Sequence, residues 1–193
     1  MMWFLIIIAL TFLLAEQAFS GLDSSISIVR FFGNAGLLMF CVALIIGPLT
    51  LFFPKWAELI EPRRAVGLSA FLFILVHMFL ANYIYFGFDP ELMQAEISLT
   101  IGFIAFLLLI PVTLTSFDVA IRKLGNSKWK LVQRISYIAF IIALIHVIMM
   151  KLSAPLTGNV GEIFIVLLVI TTIILQIAGF VIKLKKSKES IKN

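Results

Sequence analysis

The two histidines of the chain, His77 and His146, are the side chains best suited to hold a cofactor. Each lies in a long apolar stretch, where an ionisable residue is costly and usually functional. Zinc takes three or four protein ligands, and a proton relay uses carboxylates, yet no Cys, Asp or Glu lies at the matching depth. A b-type haem takes two axial imidazoles in an apolar slot. The residue types favour haem over the alternative that each histidine only hydrogen-bonds a neighbouring helix.

The composition places these histidines in a membrane. Of the 193 residues, 62% are hydrophobic and only 13% are charged, and the mean hydropathy is +1.15. A soluble domain of this size could not bury so much apolar surface, so lipid surrounds most of the chain. The net charge of +5 comes from basic residues that border apolar runs, which indicates membrane orientation and not nucleic-acid binding.

Six apolar stretches are long enough to cross a membrane, which takes about 20 helical residues for ~30 Å of hydrocarbon. They cover residues 2–19, 33–53, 64–86, 97–116, 131–150 and 161–182. Because the runs are continuous and not alternating, they predict helices instead of barrel strands. The predicted fold is all-α: one transmembrane domain, residues 1–193, that forms a polytopic six-helix bundle. No internal repeat is apparent.

The first stretch, 2–19, has a second interpretation. Ala18-Phe19-Ser20 before Gly21 resembles a signal-peptide cleavage site, but no basic side chain precedes the apolar run, as one normally does in a signal peptide. We therefore expect a retained helix. Cleavage would move the new N-terminus outside and leave the other five helices oriented as before.

The connections between the stretches alternate in charge. Two of them, taken with the first residues of the stretches that follow and with the C-terminal tail at 183–193, hold 13 of the 15 basic residues, whereas most of the charged residues near the other connections are Asp or Glu. Because positively charged connections stay inside, both termini are expected in the cytoplasm of a bacterial-type inner membrane. The lysine-rich tail is expected to lie, solvated, near anionic lipid.

The two histidines are expected at similar depth in this membrane. His77 follows Arg64 by 13 residues and His146 follows Arg134 by 12. At 1.5 Å per residue, they stand ~20 Å and ~18 Å above those arginines, on parallel helices. Two imidazoles at one depth can face each other across a flat ligand. Such a pair leaves no open position on haem iron, which favours one-electron transfer over oxygen chemistry.

Several short motifs resemble one family. The string PRRAVGLSAF at 62–71, followed by His77, resembles the RR-x-x-GL-x-x-F…H element of ferric-reductase-like transmembrane domains. The strings TLTS at 113–116 and RKLG at 122–125, with Trp129, resemble the family's loop between helices four and five. GPL at 47–49 resembles the end of its second helix, and Ile145-His146 its outer histidine on helix five. The resemblance covers about 35–183.

Within that family the chain is most similar to haem-binding membrane subunits of bacterial periplasmic methionine sulfoxide reductase systems. This implies that His77 and His146 ligate haem. It also implies that a cytosolic flavin or flavin reductase donates electrons and that a periplasmic molybdenum-containing reductase receives them. The family commonly has another histidine 13 residues before the outer one on helix five, where this chain has Gln133. Gln is not a usual haem ligand, so we expect one bis-histidine haem b.

Other residues have both a binding and a plain interpretation. Lys151 could pair with a haem propionate or extend to the membrane interface. Arg64 and Arg134, with Arg63, could bind the phosphate of a flavin such as FMN or only fix the topology. Gly67 and Gly102 could allow a helix or a haem to approach closely, while Asn82 and Tyr83 could bind propionates or pack at the interface.

No substrate-converting site is evident in the sequence, and no catalytic residue is proposed. Two other function classes stay open. One is a stand-alone transmembrane cytochrome that reduces ferric iron or a quinone directly, and the other is a haem-free assembly or transport subunit.

Overall fold

A computed structural model of the chain describes residues 6–7, 9–11, 13, 23–153 and 160–192. Every regular element in these ranges is helical. The predicted helix at 2–19 lies mostly outside the described residues. The six positions of it that are described are helical, and two of them, Ile6 and Leu13, are buried in the common core.

Seven α-helices follow the first described positions. They are α1 (Ser24–Phe52), α2 (Ile60–Ala81), α3 (Pro90–Ala95), α4 (Ile97–Leu114), α5 (Asp118–Gln133), α6 (Ile135–Ser153) and α7 (Val160–Lys192). A 3₁₀ helix, Pro54–Leu59, precedes α2, and a π-helical turn, Asn82–Phe86, follows it. Five helical segments, containing α1, α2, α4, α6 and α7, are long and apolar enough to cross a membrane. The prediction of a polytopic helical membrane protein is confirmed.

Helix α1 begins nine residues before the predicted start at 33. Its first turn is capped by Asp23, whose Oδ1 accepts a hydrogen bond from the N–H of Ser25 at 2.7 Å. Hydrogen bonds from the backbone N–H and the side chain of Ser25 also hold the pKa of the Asp23 carboxyl below its usual range. Hydropathy alone missed this start because the polar residues Asp23, Ser24 and Ser25 lower it. The added turns bring Val29 and Arg30 into the helix.

The helices form two hairpins. α1 packs along α2, and α4 packs along α6, while the two hairpins meet chiefly where α2 contacts α4. α7 packs on α1, which is the most buried of the membrane-spanning helices. The remaining helices expose long apolar faces, as expected for surfaces in contact with lipid. We call the end where α1 stops and α2 starts the basic end, and the opposite end the acidic end.

Pro48 lies inside α1 near the basic end. It has no N–H, so the carbonyl of Leu44, four residues earlier, loses its helical partner. Gln176 of α7 donates its Nε2 hydrogen to that carbonyl at 2.6 Å, and Arg63 of α2 donates from Nε to the neighbouring carbonyl of Ala43 at 2.9 Å. The Gln176 side chain thus satisfies the carbonyl that the proline frees, and Arg63 joins α2 to the same turn of α1.

Two predicted connections are helical. The basic connection after α4 forms α5, which is interrupted at Gly125, where φ is +70°. The lysine-rich tail continues α7 to Lys192 and is not a separate segment. In both, charged side chains kept the hydropathy low, which hid the helix from a search for apolar runs.

Candidate functional site

His77 of α2 is held by the backbone of α1. Its Nδ1 lies 2.9 Å from the carbonyl oxygen of Val29. Because a carbonyl only accepts hydrogen bonds, Nδ1 carries the proton and donates it. The other ring nitrogen, Nε2, then keeps its lone pair and can bind a metal. The side chain is half-buried.

His146 of α6 is held in the same way by α4. Its Nδ1 lies 2.7 Å from the carbonyl oxygen of Ser98. The same argument leaves Nε2 of this ring with its lone pair. Both imidazoles are therefore fixed in the tautomer that metal-binding histidines use, with a backbone carbonyl as the outer partner.

A glycine lies against each imidazole. A methyl group on Gly33 would be 3.0 Å from both Nδ1 and Cε1 of His77. A methyl group on Gly102 would be 2.9 Å from Nδ1 and 3.0 Å from Cε1 of His146. Gly102 was predicted from the sequence to allow a close approach of a helix or a haem. Gly67 was predicted with it, but a methyl group there would meet only Ala43, at 4.0 Å. Gly33 was not among the predicted residues.

The two hairpins repeat one arrangement, although no repeat is apparent in the sequence. Each histidine follows its carbonyl partner by 48 residues. Adding 69 to the numbers of Val29, Gly33 and His77 gives Ser98, Gly102 and His146. The repeat is one of contact geometry and not of sequence. Backbone contacts and glycines define it, and not similar side chains.

Aromatic rings join the hairpins on the basic side of the histidines. Phe71 of α2 stacks on Phe106 of α4 with ring centroids 5.4 Å apart, and Phe140 of α6 meets Phe40 of α1 edge-on at 5.4 Å. Phe71 and Phe140 each precede their histidine by six residues, which is about 9 Å along a helix. We call these four side chains the phenylalanine layer. Apolar packing thus separates the histidines from the basic end.

The arginines predicted as binding residues lie at the basic end, away from the histidines. Arg64 forms an ion pair with Asp118 at the start of α5. Arg134 lies at the junction of α5 and α6, where its backbone N–H donates to the carbonyl of Leu131. The structure brings both into the region of α5 but not to either imidazole.

Lys151 lies one turn beyond His146, toward the acidic end. Its ammonium group pairs with the carboxylate of Glu162 in α7. It lies on the same helix as His146 and links α6 to α7. Asn82 donates from Nδ2 to the carbonyl of Met78 at 2.8 Å, and Tyr83 is exposed.

Gln133 joins α5 to the end of α4. Its Nε2 lies 3.0 Å from the carbonyl oxygen of Val112 and 3.2 Å from Oγ1 of Thr115. The indole Nε1 of Trp129 donates to the carbonyl of Thr115 at 3.0 Å. The TLTS string at 113–116 is thus the polar end of α4, which α5 caps.

Comparison with known proteins places the chain in a family. A family model described as "Ferric reductase like transmembrane component" matches residues 32–144, which include His77 and end two residues before His146. That match covers more than half of the chain.

Several relatives share one name, "Protein-methionine-sulfoxide reductase heme-binding subunit MsrQ". The relative from Polaromonas naphthalenivorans is 28% identical over 149 residues, which cover 75% of this chain and 66% of that protein. The relative from Ralstonia nicotianae is 32% identical over 62% of this chain and 56% of its own length. The chain thus spans less than two thirds of these two proteins. The relative from Rhodospirillum rubrum is 33% identical over 72% of this chain and 71% of its own length. The chain belongs to the ferric reductase-like transmembrane family, in which its similarity lies with these haem-binding subunits.

Proposed function

We propose that the chain binds one b-type haem between His77 and His146 and serves as the electron-transferring membrane subunit of a protein-methionine-sulfoxide reductase system. The names of the relatives support the cofactor and the system. The observation that carries the proposal is the matched pair of imidazoles, each fixed by a backbone carbonyl with Nε2 left to bind iron.

The residues present fit such a group. Both donors are neutral imidazoles on different hairpins, and a glycine beside each ring leaves room that a methyl group would fill. The surrounding helices are apolar, as a b-type haem requires. When bound, haem b supplies reversible one-electron chemistry.

The two histidines direct that chemistry toward electron transfer. His77 and His146 would hold the haem through Nε2, and a haem held by two histidines would supply one-electron transfer and not oxygen or substrate binding. The carbonyls of Val29 and Ser98 accept hydrogen bonds from Nδ1–H, which raises the basicity of Nε2 and would favour the oxidised form of the group. No residue of this chain is assigned a role in converting a substrate.

One haem is proposed and not two. The positions 13 residues before the histidines are Arg64 and Gln133. Arg64 pairs with Asp118, and the Gln133 amide donates to the end of α4. Neither residue is a usual haem ligand, and the phenylalanine layer packs between the hairpins above them.

The direction of electron flow follows from the charges at the two ends. We place the basic end and both termini in the cytoplasm, by the positive-inside rule. A cytosolic flavin reductase would donate electrons at the basic end. The histidines lie about 18–20 Å from Arg64 and Arg134, which is far for a single electron-transfer step. FMN held on the cytoplasmic side near these arginines would therefore serve as a carrier. The acidic end would then face the periplasmic, molybdenum-containing reductase. Lys151 would bind a propionate by exchanging its partner Glu162.

The family match favours one second candidate, direct reduction of an external acceptor such as ferric iron or a quinone. The same bis-histidine site would serve it. The two candidates differ in the acceptor: the first predicts rapid oxidation of the reduced chain by a periplasmic methionine sulfoxide reductase, and the second by ferric chelates or quinones alone.

The absorption spectrum of detergent-purified protein, oxidised and reduced, tests the proposal. We expect a low-spin b-type spectrum at one haem per chain, lost in both His77→Ala and His146→Ala. Val76→Ala and Ile145→Ala, each next to a histidine and on an exposed apolar face, are matched controls that should keep it. Colourless wild-type protein, or full haem content in either histidine variant, would overturn the proposal.

A further inference from the structure

We propose that Gly33 and Gly102 are paired positioning residues that set the orientation of the two axial imidazoles. This inference rests on the proposed haem site. Gly33 of α1 and Gly102 of α4 carry no ligand atom. We infer that they control how the imidazoles of α2 and α6 meet the iron.

The first support is the contact itself. A methyl group on Gly33 or Gly102 would come within 2.9–3.0 Å of Nδ1 of the neighbouring histidine, closer than carbon and nitrogen atoms pack without displacement. Each ring therefore lies against helix backbone that no other residue type would leave open. The atom approached is the nitrogen that donates to the carbonyl four residues before the glycine.

The second support is the repetition. In both hairpins the residue whose carbonyl accepts the hydrogen bond, the glycine and the histidine keep the same spacing. On a helix, residues four apart lie on one face, so Val29 and Gly33 face the same ring, as do Ser98 and Gly102. One glycine beside a ring could reflect packing alone, but the same triad at both ligands indicates a requirement of the ligand pair.

Other glycines of the bundle separate this role from simple helix packing. A methyl group on Gly36 would lie 2.7 Å from Cγ1 of Ile74 and 3.2 Å from its backbone nitrogen, so this glycine allows α1 and α2 to approach. A methyl group on Gly67 would lie 4.0 Å from Ala43, an ordinary contact. The nearest neighbours of a methyl group on Gly36 or Gly67 do not include an imidazole atom.

The expected consequence concerns the iron. A methyl group would push the ring away and lengthen the hydrogen bond from Nδ1 to the carbonyl. The imidazole then becomes a weaker base, which destabilises the oxidised metal and raises the reduction potential. We expect about a tenfold change in the redox equilibrium, which equals about 59 mV for one electron. The change in potential should be larger in Gly102→Ala than in Gly33→Ala. The methyl group would lie closer to Nδ1 of His146 than of His77, and the hydrogen bond from Nδ1 is shorter at His146.

The experiment compares Gly33→Ala and Gly102→Ala with Gly36→Ala and Gly67→Ala in purified full-length protein. Three quantities are measured: haem per chain, midpoint potential, and the electron paramagnetic resonance spectrum of the ferric form, which reports imidazole orientation. We expect raised potentials and shifted spectra in the first two variants, and wild-type values in Gly67→Ala. Gly36→Ala should lower the melting temperature without a comparable shift in potential per bound haem.

Several results would overturn the inference. Unchanged potentials and spectra in Gly33→Ala and Gly102→Ala would do so, as would an equal shift in Gly67→Ala. If the two variants lose more thermal stability than Gly36→Ala, their role is packing. Loss of haem at wild-type stability of the haem-free protein supports the inference.

A measurement on haem-free protein separates this inference from the proposed function. Nitrogen-15 spectra of labelled histidine report which ring nitrogen is protonated. We expect Nδ1–H in the wild type and a mixture of tautomers at His77 in Gly33→Ala and at His146 in Gly102→Ala. A wild-type chain without haem would refute the proposed function, whereas unchanged tautomers in the variants would refute only the role of the glycines.

Discussion

The two histidine hairpins share their backbone geometry but differ in what surrounds it. In α1–α2 the carbonyl acceptor belongs to Val29, an apolar residue. In α4–α6 it belongs to Ser98, whose hydroxyl lies 2.8 Å from Oε1 of Glu96 and 3.3 Å from the sulfur of Met150. The equivalent parts fix the two imidazoles, and the unlike parts link a carboxylate, Glu96, to the acceptor residue of His146.

The hairpins also differ at the basic end. The short 3₁₀ helix joins α1 to α2, while the sixteen-residue α5 joins α4 to α6. Arg64 and Gln133, at matching positions, make unlike contacts: the first pairs outward with α5, and the second donates inward to α4. The two hairpins are therefore alike near the histidines. They differ at Arg64 and Gln133, where a second pair of haem-binding residues would lie.

The largest expected effect tests the equivalence of the two ligands. His77→Ala and His146→Ala should each lower the haem content by about tenfold or more, because each removes one of the two imidazoles proposed to hold the haem between the hairpins. Haem per chain is measured by the pyridine haemochrome method. A variant that keeps a full complement would show that the two hairpins are not equivalent ligand donors.

A smaller loss, of stability, is expected when the carbonyl next to Pro48 in α1 loses its donor. Gln176→Leu leaves the carbonyl of Leu44, freed by Pro48, without its donor, and an unsatisfied buried polar group costs about 1–3 kcal/mol. The free energy of unfolding in mixed detergent measures this. The control is Thr171→Val, at an exposed position on α7. Gln176→Glu cannot serve as a control because it also removes the amide donor. A Gln176→Leu variant as stable as wild type would mean that water or lipid headgroups replace the amide.

Hydropathy and spacing were enough to predict five of the spans, and the similar depth of His77 and His146 stays a prediction. They could not predict which atoms the imidazoles contact, because helices that are apolar on all sides carry no pattern that fixes their rotation. The start of α1 depended on the Asp23 cap, which lies outside any apolar run. As a result Val29 and Gly33, which position His77, were not among the candidate residues.

The carboxylate near one ligand leads to a third prediction. Glu96→Gln removes a negative charge linked through Ser98 to the His146 imidazole, so the oxidised metal is less favoured and the potential should rise. A unit charge at about 10 Å in a medium of intermediate dielectric amounts to about 1 kcal/mol, or about fivefold in the redox equilibrium. Redox titration measures it.

The control for Glu96→Gln is Glu91→Gln, an exposed carboxylate of α3 at the same end. Glu91→Gln should shift the potential by only a fraction of the shift expected for Glu96→Gln. Equal shifts in both variants would mean that the surface charge of the acidic end acts as a whole, and that the difference between Ser98 and Val29 has no electrical consequence.

The smallest effect is expected at the Arg64–Asp118 pair, which joins the α1–α2 hairpin to α5. The guanidinium of Arg64 holds the pKa of the Asp118 carboxyl below its usual value. Because the folded-state pKa is the lower one, the pair stabilises the fold above the ordinary titration range of aspartate, and this contribution disappears as pH falls through the folded-state pKa. Both side chains are largely exposed, so the contribution is small.

Melting temperatures measured from pH 7 down to the acid limit of the detergent-solubilised protein test this sign. Asp118→Asn should lower the melting temperature slightly at neutral pH and converge with wild type in acid. Glu58→Gln, an exposed carboxylate in the 3₁₀ helix of the same end, should not show that convergence. Parallel curves for wild type and Asp118→Asn would mean that the ion pair does not stabilise the fold, and that α5 is held to the hairpins by the hydrogen bonds of Gln133 and Trp129 alone.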